Sequence, residues 1–279
     1  MIIDAHHHLW DPAKHDYPWM DGEALAPLRR PYTVDDLWEV TDGRVAHTVL
    51  VQTISDQSET AGFLSTAGAN DGLIKGVVGW VDLTVPDVAD HIAELRAGPG
   101  GDRLVGIRHQ VQDEADPGWL ARPEVLRGLR AVGAAGLAYD LLVLVSQLRV
   151  ATEVVRQLPE LRFVLDHLAK PGIAAGEWEP WASRIAKLAA EPNVTAKLSG
   201  LVTEASWTDW TAGQIVPYAK HALDVFGADR LMYGSDWPVC TLAAGYDEVW
   251  DLAGTLIQDL SEGERSAILG GTAERVYEL

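Results

Sequence analysis

Three short stretches of the chain carry residues whose types and spacing could do chemistry. Near the N-terminus stands Asp4-Ala5-His6-His7-His8. Along a β-strand side chains alternate, so His6 and His8 point to one side and His7 to the other. Two imidazoles converging at a strand end suit a divalent metal ion. A solvent-facing tail or tag remnant would also be rich in histidine, but it would not continue a strand pattern that opens Ile2-Ile3-Asp4. The second stretch, Phe163-Val164-Leu165-Asp166-His167, ends an apolar run with two polar residues. Burying them without partners is costly, so the strand end is expected to open into a polar site, with either residue facing in. The third is Leu231-Met232-Tyr233-Gly234-Ser235-Asp236-Trp237-Pro238, where Gly234 allows a bend or a close approach of backbone. Asp236 could then serve as a metal ligand or as a general base.

Two cations sit within otherwise apolar runs. Arg108 follows Leu104-Val105-Gly106-Ile107, and its planar, always-charged guanidinium suits a carboxylate or another electron-rich oxygen. Lys197 shares a strand face with Ser199 and needs an anion, from the protein or from a substrate. A structural ion pair is as good a reading as a substrate contact for both. Gln52, Trp80, His109, Tyr139, Lys170 and Trp237 stand at or near strand ends and are candidates to line the pocket, whereas Cys240 reads as a small buried hydrophobe.

The elements that must position these groups follow a simple alternation. Strands are expected near 2–8, 46–52, 76–81, 104–109, 137–143, 162–167, 194–199 and 231–234, with helical patterns such as 123–134, 147–157, 181–190 and 215–226 between them. Strands separated by helices pair in parallel, and eight such units predict an α/β fold of the (β/α)8 TIM-barrel type, one domain over 1–279. An open doubly wound sheet is the competing architecture, and the glycine-rich dinucleotide fingerprint that often follows its first strand is absent. Barrel active sites form at the C-terminal ends of the strands, where all three stretches end. The irregular segment 10–32 is too long for a simple turn and is expected to cover the mouth, and 200–210 brings two more tryptophans to that face.

Composition excludes several classes of function. With 22 Lys and Arg against 41 Asp and Glu, the formal charge of −19 argues against nucleic acid or an anionic membrane as partner. No run approaches the roughly 20 apolar residues of a membrane span, and no signal-like segment opens the chain. One cysteine rules out an intrachain disulfide or a thiolate zinc cage, so a cytoplasmic location is expected. Eleven tryptophans against three phenylalanines are unusual. Core filling is their commoner role, though an apolar face with one donor also suits sugar-like rings.

Taken together, Asp4 to His8, Leu165 to Pro171 and Tyr233 to Pro238 resemble the amidohydrolase superfamily, in the branch called amidohydrolase 2, over nearly the whole chain. Within that branch Gly106-Ile107-Arg108-His109, Tyr139-Asp140-Leu141-Leu142 and Lys197-Leu198-Ser199-Gly200 resemble the sugar-lactone hydrolases, including L-fuconolactonases, L-rhamnonolactonases and sulfomuconolactone hydrolases. The resemblance implies that His6, His8, His167 and Asp236 hold one divalent ion, with Asp236 also the general base. Three imidazoles and a carboxylate favour zinc. Binuclear members carry a bridging lysine or glutamate near mid-barrel, where this chain has Arg108, His109, Tyr139 and Asp140, so a second metal is not expected. The expected function is a metal-dependent or metal-assisted hydrolase of carbohydrate metabolism that opens a sugar-derived lactone to its aldonic acid, with Arg108 as a second catalytic group. The alternative is nonoxidative decarboxylation of an aromatic or dienoic acid. The partner is then a small-molecule substrate, and a homo-oligomer stays open.

Overall fold

The computed structural model describes residues 1–70 and 72–279. Eight strands, β1 (Ile3–His7), β2 (His47–Val51), β3 (Ile74–Gly79), β4 (Leu104–His109), β5 (Ala138–Leu141), β6 (Phe163–Leu165), β7 (Val194–Leu198) and β8 (Leu231–Tyr233), form one parallel sheet in sequence order. Just past β8, hydrogen bonds from Asp236 N to His6 O (2.8 Å) and from His8 N to Trp237 O (2.7 Å) carry the sheet round to β1. This is the (β/α)8 barrel expected from the alternation. Gly234 makes the closure feasible, because a Cβ there would lie 2.6 Å from His6 Cβ.

The surrounding helices are α1 (Val34–Thr41), α2 (Gln57–Ala69), α3 (Val88–Ala97), α4 (Pro123–Ala134), α5 (Leu148–Gln157), α6 (Trp181–Ala189), α7 (Leu201–Glu204), α8 (Ala212–Phe226), α9 (Tyr246–Ile257), α10 (Glu262–Ser266) and α11 (Thr272–Tyr277). Their start signals are local. Thr33 caps α1 through a reciprocal bond with Asp36, and Pro123 opens α4, where its missing N–H costs nothing. In α5 the buried residues Leu148, Ala151, Thr152 and Val155 recur at the spacing of one helix face. No helix among the described residues is long and apolar enough to cross a membrane.

Two layers of core result. One lies between strands and helices. The other fills the barrel and contains Ala5, Val49, Val51, Val78, Ala138, Val164 and Met232, with Ala273, Val276 and Tyr277 of α11 among them. Tyr277 also reaches Asp140 of β5 through its hydroxyl, so α11 forms a floor to the barrel.

Strand bounds differ from expectation by more than one residue at β3, β5 and β6, the last ending at Leu165 rather than at 167. The cause is backbone handedness. His167, Leu168, Ala169 and Lys170 all have positive φ (51°, 51°, 60° and 54°), a left-handed turn built without glycine. Alternation also fails in β1, whose register against β2 gains a residue between Asp4 and His7. Through this bulge Ala5 packs in the barrel interior and His6 also faces inward, whereas Asp4 faces outward to Tyr246.

Candidate active site

The ends of β1, β6 and β8 bring four side chains together. His6 Nε2 lies 3.1 Å from His8 Nε2, and Asp236 Oδ1 lies 3.7, 3.3 and 3.9 Å from the Nε2 atoms of His6, His8 and His167. Ligand atoms of His6, His167 and Asp236 all fall within 4.8 Å of one another, the arrangement a single ion needs. Every ring is held from behind. His8 Nδ1 is 2.8 Å from the Val51 carbonyl, which can only accept, so that nitrogen carries a proton and Nε2 faces Asp236 at 3.3 Å. His167 Nδ1 meets Ser199 Oγ at 2.8 Å, and His6 Nδ1 lies 3.1 Å from Lys197 Nζ and 3.3 Å from Asp166 Oδ1.

Charge states follow from burial and neighbours. Burial pushes His6 well below the usual imidazole range, with the Lys197 charge adding to it, and pushes His167 down to about 4 against the pull of Asp236 and Asp166. Burial would raise Asp236, but the facing His167, His8 and Lys170 outweigh it and hold the carboxyl below its ordinary value. The neutral imidazoles of His6 and His167 beside an ionised carboxylate are the protonation states a divalent cation requires, so this donor set fits one.

Two strained backbone positions aim these groups. The left-handed turn after β6 swings His167 and Lys170 toward the mouth, and the Leu168 carbonyl inside it is held by Trp181 Nε1 at 2.8 Å. Asp236 itself has φ 58°. Gly200 completes the fit, with φ 65° and a position where a Cβ would meet His167 Nδ1 at 2.6 Å.

Beneath the quartet lies a buried ionic network. Asp166 accepts from Arg108 Nη1 at 2.8 Å and lies 3.0 Å from Lys197 Nζ, while Lys197 also reaches Asp140 at 2.5 Å and Tyr277 donates to Asp140 at 2.8 Å. Burial pushes Asp166 up, yet Lys197, His6 and Arg108 together bring it well below the usual carboxylate range. Asp140, with Lys197 as its one close cation, is pushed up to about 6 by burial.

Above the quartet a cavity of about 520 Å³, part of it continuous with solvent, is lined by His8, Arg108, His167, Lys170 and Asp236 together with Trp19, Thr53, Gln110, Gln112, Leu142, Thr203, Glu204 and Val239. Several residues expected at this pocket lie elsewhere. Gln52 is fully buried, and its side-chain oxygen accepts from Arg108 Nε at 2.9 Å while its amide donates to Ile54 O, so it supports Arg108 from behind. Inward Arg108 forces His109 outward, where His109 accepts from Trp80 Nε1 at 2.9 Å, meets Glu114 at 2.8 Å and stacks on Trp119. Tyr139 faces the helices against Phe163 because its neighbour Asp140 faces the barrel. Trp237 packs on Tyr32 away from the cavity, and Lys197 sits below it in the network. Of the 200–210 stretch, Thr203 and Glu204 line the cavity, while Trp207 and Trp210 bond to the carbonyls of Thr203 and Ala243. Cys240 is buried as expected.

Sequence reasoning missed Trp19, Thr53, Gln110, Gln112, Leu142, Thr203, Glu204 and Val239 at the cavity. Only Trp19, Thr203 and Glu204 carried a signal, as members of the two stretches expected at the mouth.

Residues 3–279 match the family model described as amidohydrolase. The chain belongs to the amidohydrolase family. Among curated amidohydrolase relatives, an L-fucono-1,5-lactonase of Burkholderia multivorans is 40% identical over 292 residues, covering 99% of this chain and 96% of that protein. An L-fucono-1,5-lactonase of Burkholderia ambifaria is 37% identical, covering 99% and 95%. A crystal structure of a Burkholderia multivorans amidohydrolase with bound zinc superposes with a TM-score of 0.93 at 40% identity, covering 100% of this chain and 99% of the other. The amidohydrolase described here is accordingly a hydrolase with a donor set suited to a divalent ion.

Proposed function

We propose that this amidohydrolase opens a sugar-derived lactone to its aldonic acid, with Asp236 as general base. The observation that carries the reading is Asp236 itself, held as a carboxylate at the base of a cavity whose other walls are mostly neutral hydrogen-bonding groups. The two Burkholderia relatives named L-fucono-1,5-lactonases support the substrate class. His6, His8, His167 and Asp236 would hold one divalent ion, zinc by the mixed imidazole and carboxylate donors, and when bound it would polarise the carbonyl and acidify water.

The chain's own groups then act as follows. Asp236 takes a proton from the attacking water as its oxygen bonds to the lactone carbonyl carbon. Arg108, anchored by Gln52 and Asp166, presents its remaining N–H groups where the carbonyl oxygen becomes an oxyanion. When the ring C–O bond breaks, Asp236 returns the proton to the departing alkoxide. The free acid ionises, so each turnover releases one proton.

Incubating the protein with five- and six-membered lactones of fucose, rhamnose and galactose in weak buffer should acidify the medium faster than spontaneous hydrolysis. Asp236→Asn should lower turnover by roughly two to four orders of magnitude. Elemental analysis should find one zinc per chain, removable by chelator. Inert lactones together with carbon dioxide release from an aromatic or dienoic acid would replace this reading with the decarboxylase one.

A further inference from the structure

A charged side chain that lines a cavity without a counter-charge in contact is placed to meet whatever enters, because burying it unpaired is costly. The mouth cavity carries two such groups, Lys170 and Glu204. Among the described residues no hydrogen bond or salt bridge engages the Lys170 ammonium or the Glu204 carboxyl, and neither end is closed off from solvent. Their neighbours on the same wall differ. Arg108 is paired with Asp166, Asp236 faces His8, and the Thr203 hydroxyl donates to the Gly200 carbonyl at 2.8 Å.

Both groups stand on fixed backbone. Lys170 closes the left-handed turn after β6, its N–H donating to the His167 carbonyl at 2.9 Å. Glu204 ends α7, in the loop after β7, and its carbonyl accepts from Ala174 N at 2.9 Å, which ties that loop to the segment leaving the turn. The two walls are therefore held in register. Burial raises the Glu204 carboxyl above its ordinary value, with the Lys170 charge opposing the rise and the Asp236 charge adding to it, so the three lie within electrostatic reach of one another. Lys170 and Glu204 nevertheless form no salt bridge. A gap is left between a donor and an acceptor, beside Asp236.

We infer that Lys170 and Glu204 together form the specificity site for neighbouring hydroxyl groups of the lactone ring, selecting a polyhydroxylated substrate over a bare one. The assignment rests on the lactonase reading for its substrate class. An ammonium only donates and a carboxyl oxygen accepts, so the pair matches a hydroxyl, which does both through a single oxygen, or a vicinal diol spanning the gap. An anionic substrate would meet Lys170 but be repelled by Glu204 and Asp236. A bare ring would displace water from both groups and return no hydrogen bond, which is how a site built for hydrogen bonding rejects an analogue lacking the group.

The test compares a sugar 1,5-lactone with δ-valerolactone, which has the same ring and no hydroxyls. Lys170→Met keeps the apolar stem and deletes the donor, and Glu204→Met keeps the length and deletes the acceptor. In each variant the ratio of kcat/KM for the sugar lactone to that for δ-valerolactone should fall by roughly ten- to a hundredfold. Any effect transmitted through the charge on Asp236 falls on both substrates alike and cancels in the ratio. An unchanged ratio in either folded variant overturns the site, even where lactonase activity itself is robust. Should the wild-type protein hydrolyse neither lactone, calorimetric titration of the same two reads the preference without chemistry. Selective binding of the sugar lactone that both variants lose would then sink the lactonase reading and keep the site. No selectivity in the wild type, or selectivity that survives in either variant, overturns the site.

Discussion

The floor of the barrel and its mouth are both built from polar side chains, and they differ in what those side chains touch. On the floor Tyr277, Asp140, Lys197 and Asp166 bond to one another within the chain, and Arg108 joins that network to the cavity above. At the mouth Trp19, Gln112, Lys170 and the Glu204 carboxyl, its pKa raised by burial, line the cavity instead. Polar side chains bonded to one another hold geometry, whereas those that line the cavity are placed to meet a ligand. Lys197 and Lys170 fall on opposite sides of that line, the first spent in the floor network and the second lining the cavity.

Breaking the floor should have the larger effect on stability. Lys197→Met removes the cation between two buried carboxylates and should destabilise the fold by about 3–5 kcal/mol, the usual cost of orphaning a buried charge. Chemical denaturation would measure it. A loss under about 1 kcal/mol would show that the network is not the support described.

Tyr277→Phe sharpens the contrast at lower amplitude. It deletes a donor to a buried carboxylate and should cost about 1.5–3 kcal/mol. Trp19→Phe, which keeps the ring, should stay within about 0.5 kcal/mol of wild type in the same titration. If the mouth substitution proved the more destabilising, the division between the two regions would fail.

A pH-dependent effect concerns Glu59, which fixes the mouth residue Thr53 by accepting from its backbone N–H at 2.9 Å and from its hydroxyl. Burial pushes its carboxyl up to about 7 from an ordinary 4.5. Between those values the folded state holds the proton more tightly than the unfolded state, so Glu59 contributes less to stability as pH rises through the window. Urea midpoints of wild type measured against Glu59→Gln should therefore drift against wild type from pH 4.5 to about 7 and then level off. A drift in the opposite direction would contradict the assigned shift.

Much of this architecture was legible because barrel strands and helices announce themselves by periodicity, and α4 begins and ends where its pattern does. His6 and His8 share a side as alternation requires. The same rule was available for Arg108 and His109, adjacent residues of one strand that cannot both face inward, and for Tyr139 and Asp140. It gives no way to choose which of two neighbours points in when both faces of a strand are buried. Asp166 and His167 show the other limit. Both serve the site, because the strand ends between Leu165 and His167 and a left-handed turn replaces the pleat. Nothing in His-Leu-Ala-Lys signals positive φ, since each of these residues ordinarily avoids it.

That turn also bears on portability. Four consecutive L-residues in left-handed conformation, at about 1–2 kcal/mol each, store roughly 4–8 kcal/mol, comparable with the whole net stability of many domains. No short peptide could hold such a shape alone. The segment carrying His167 and Lys170 is thus a tenant of the barrel, held by buried Leu168 and Ala169 and by Trp181 from α6. Moved to another scaffold as a bare loop it would relax to right-handed backbone and turn its histidine away, so this chemistry can be inherited only with the fold that bends it.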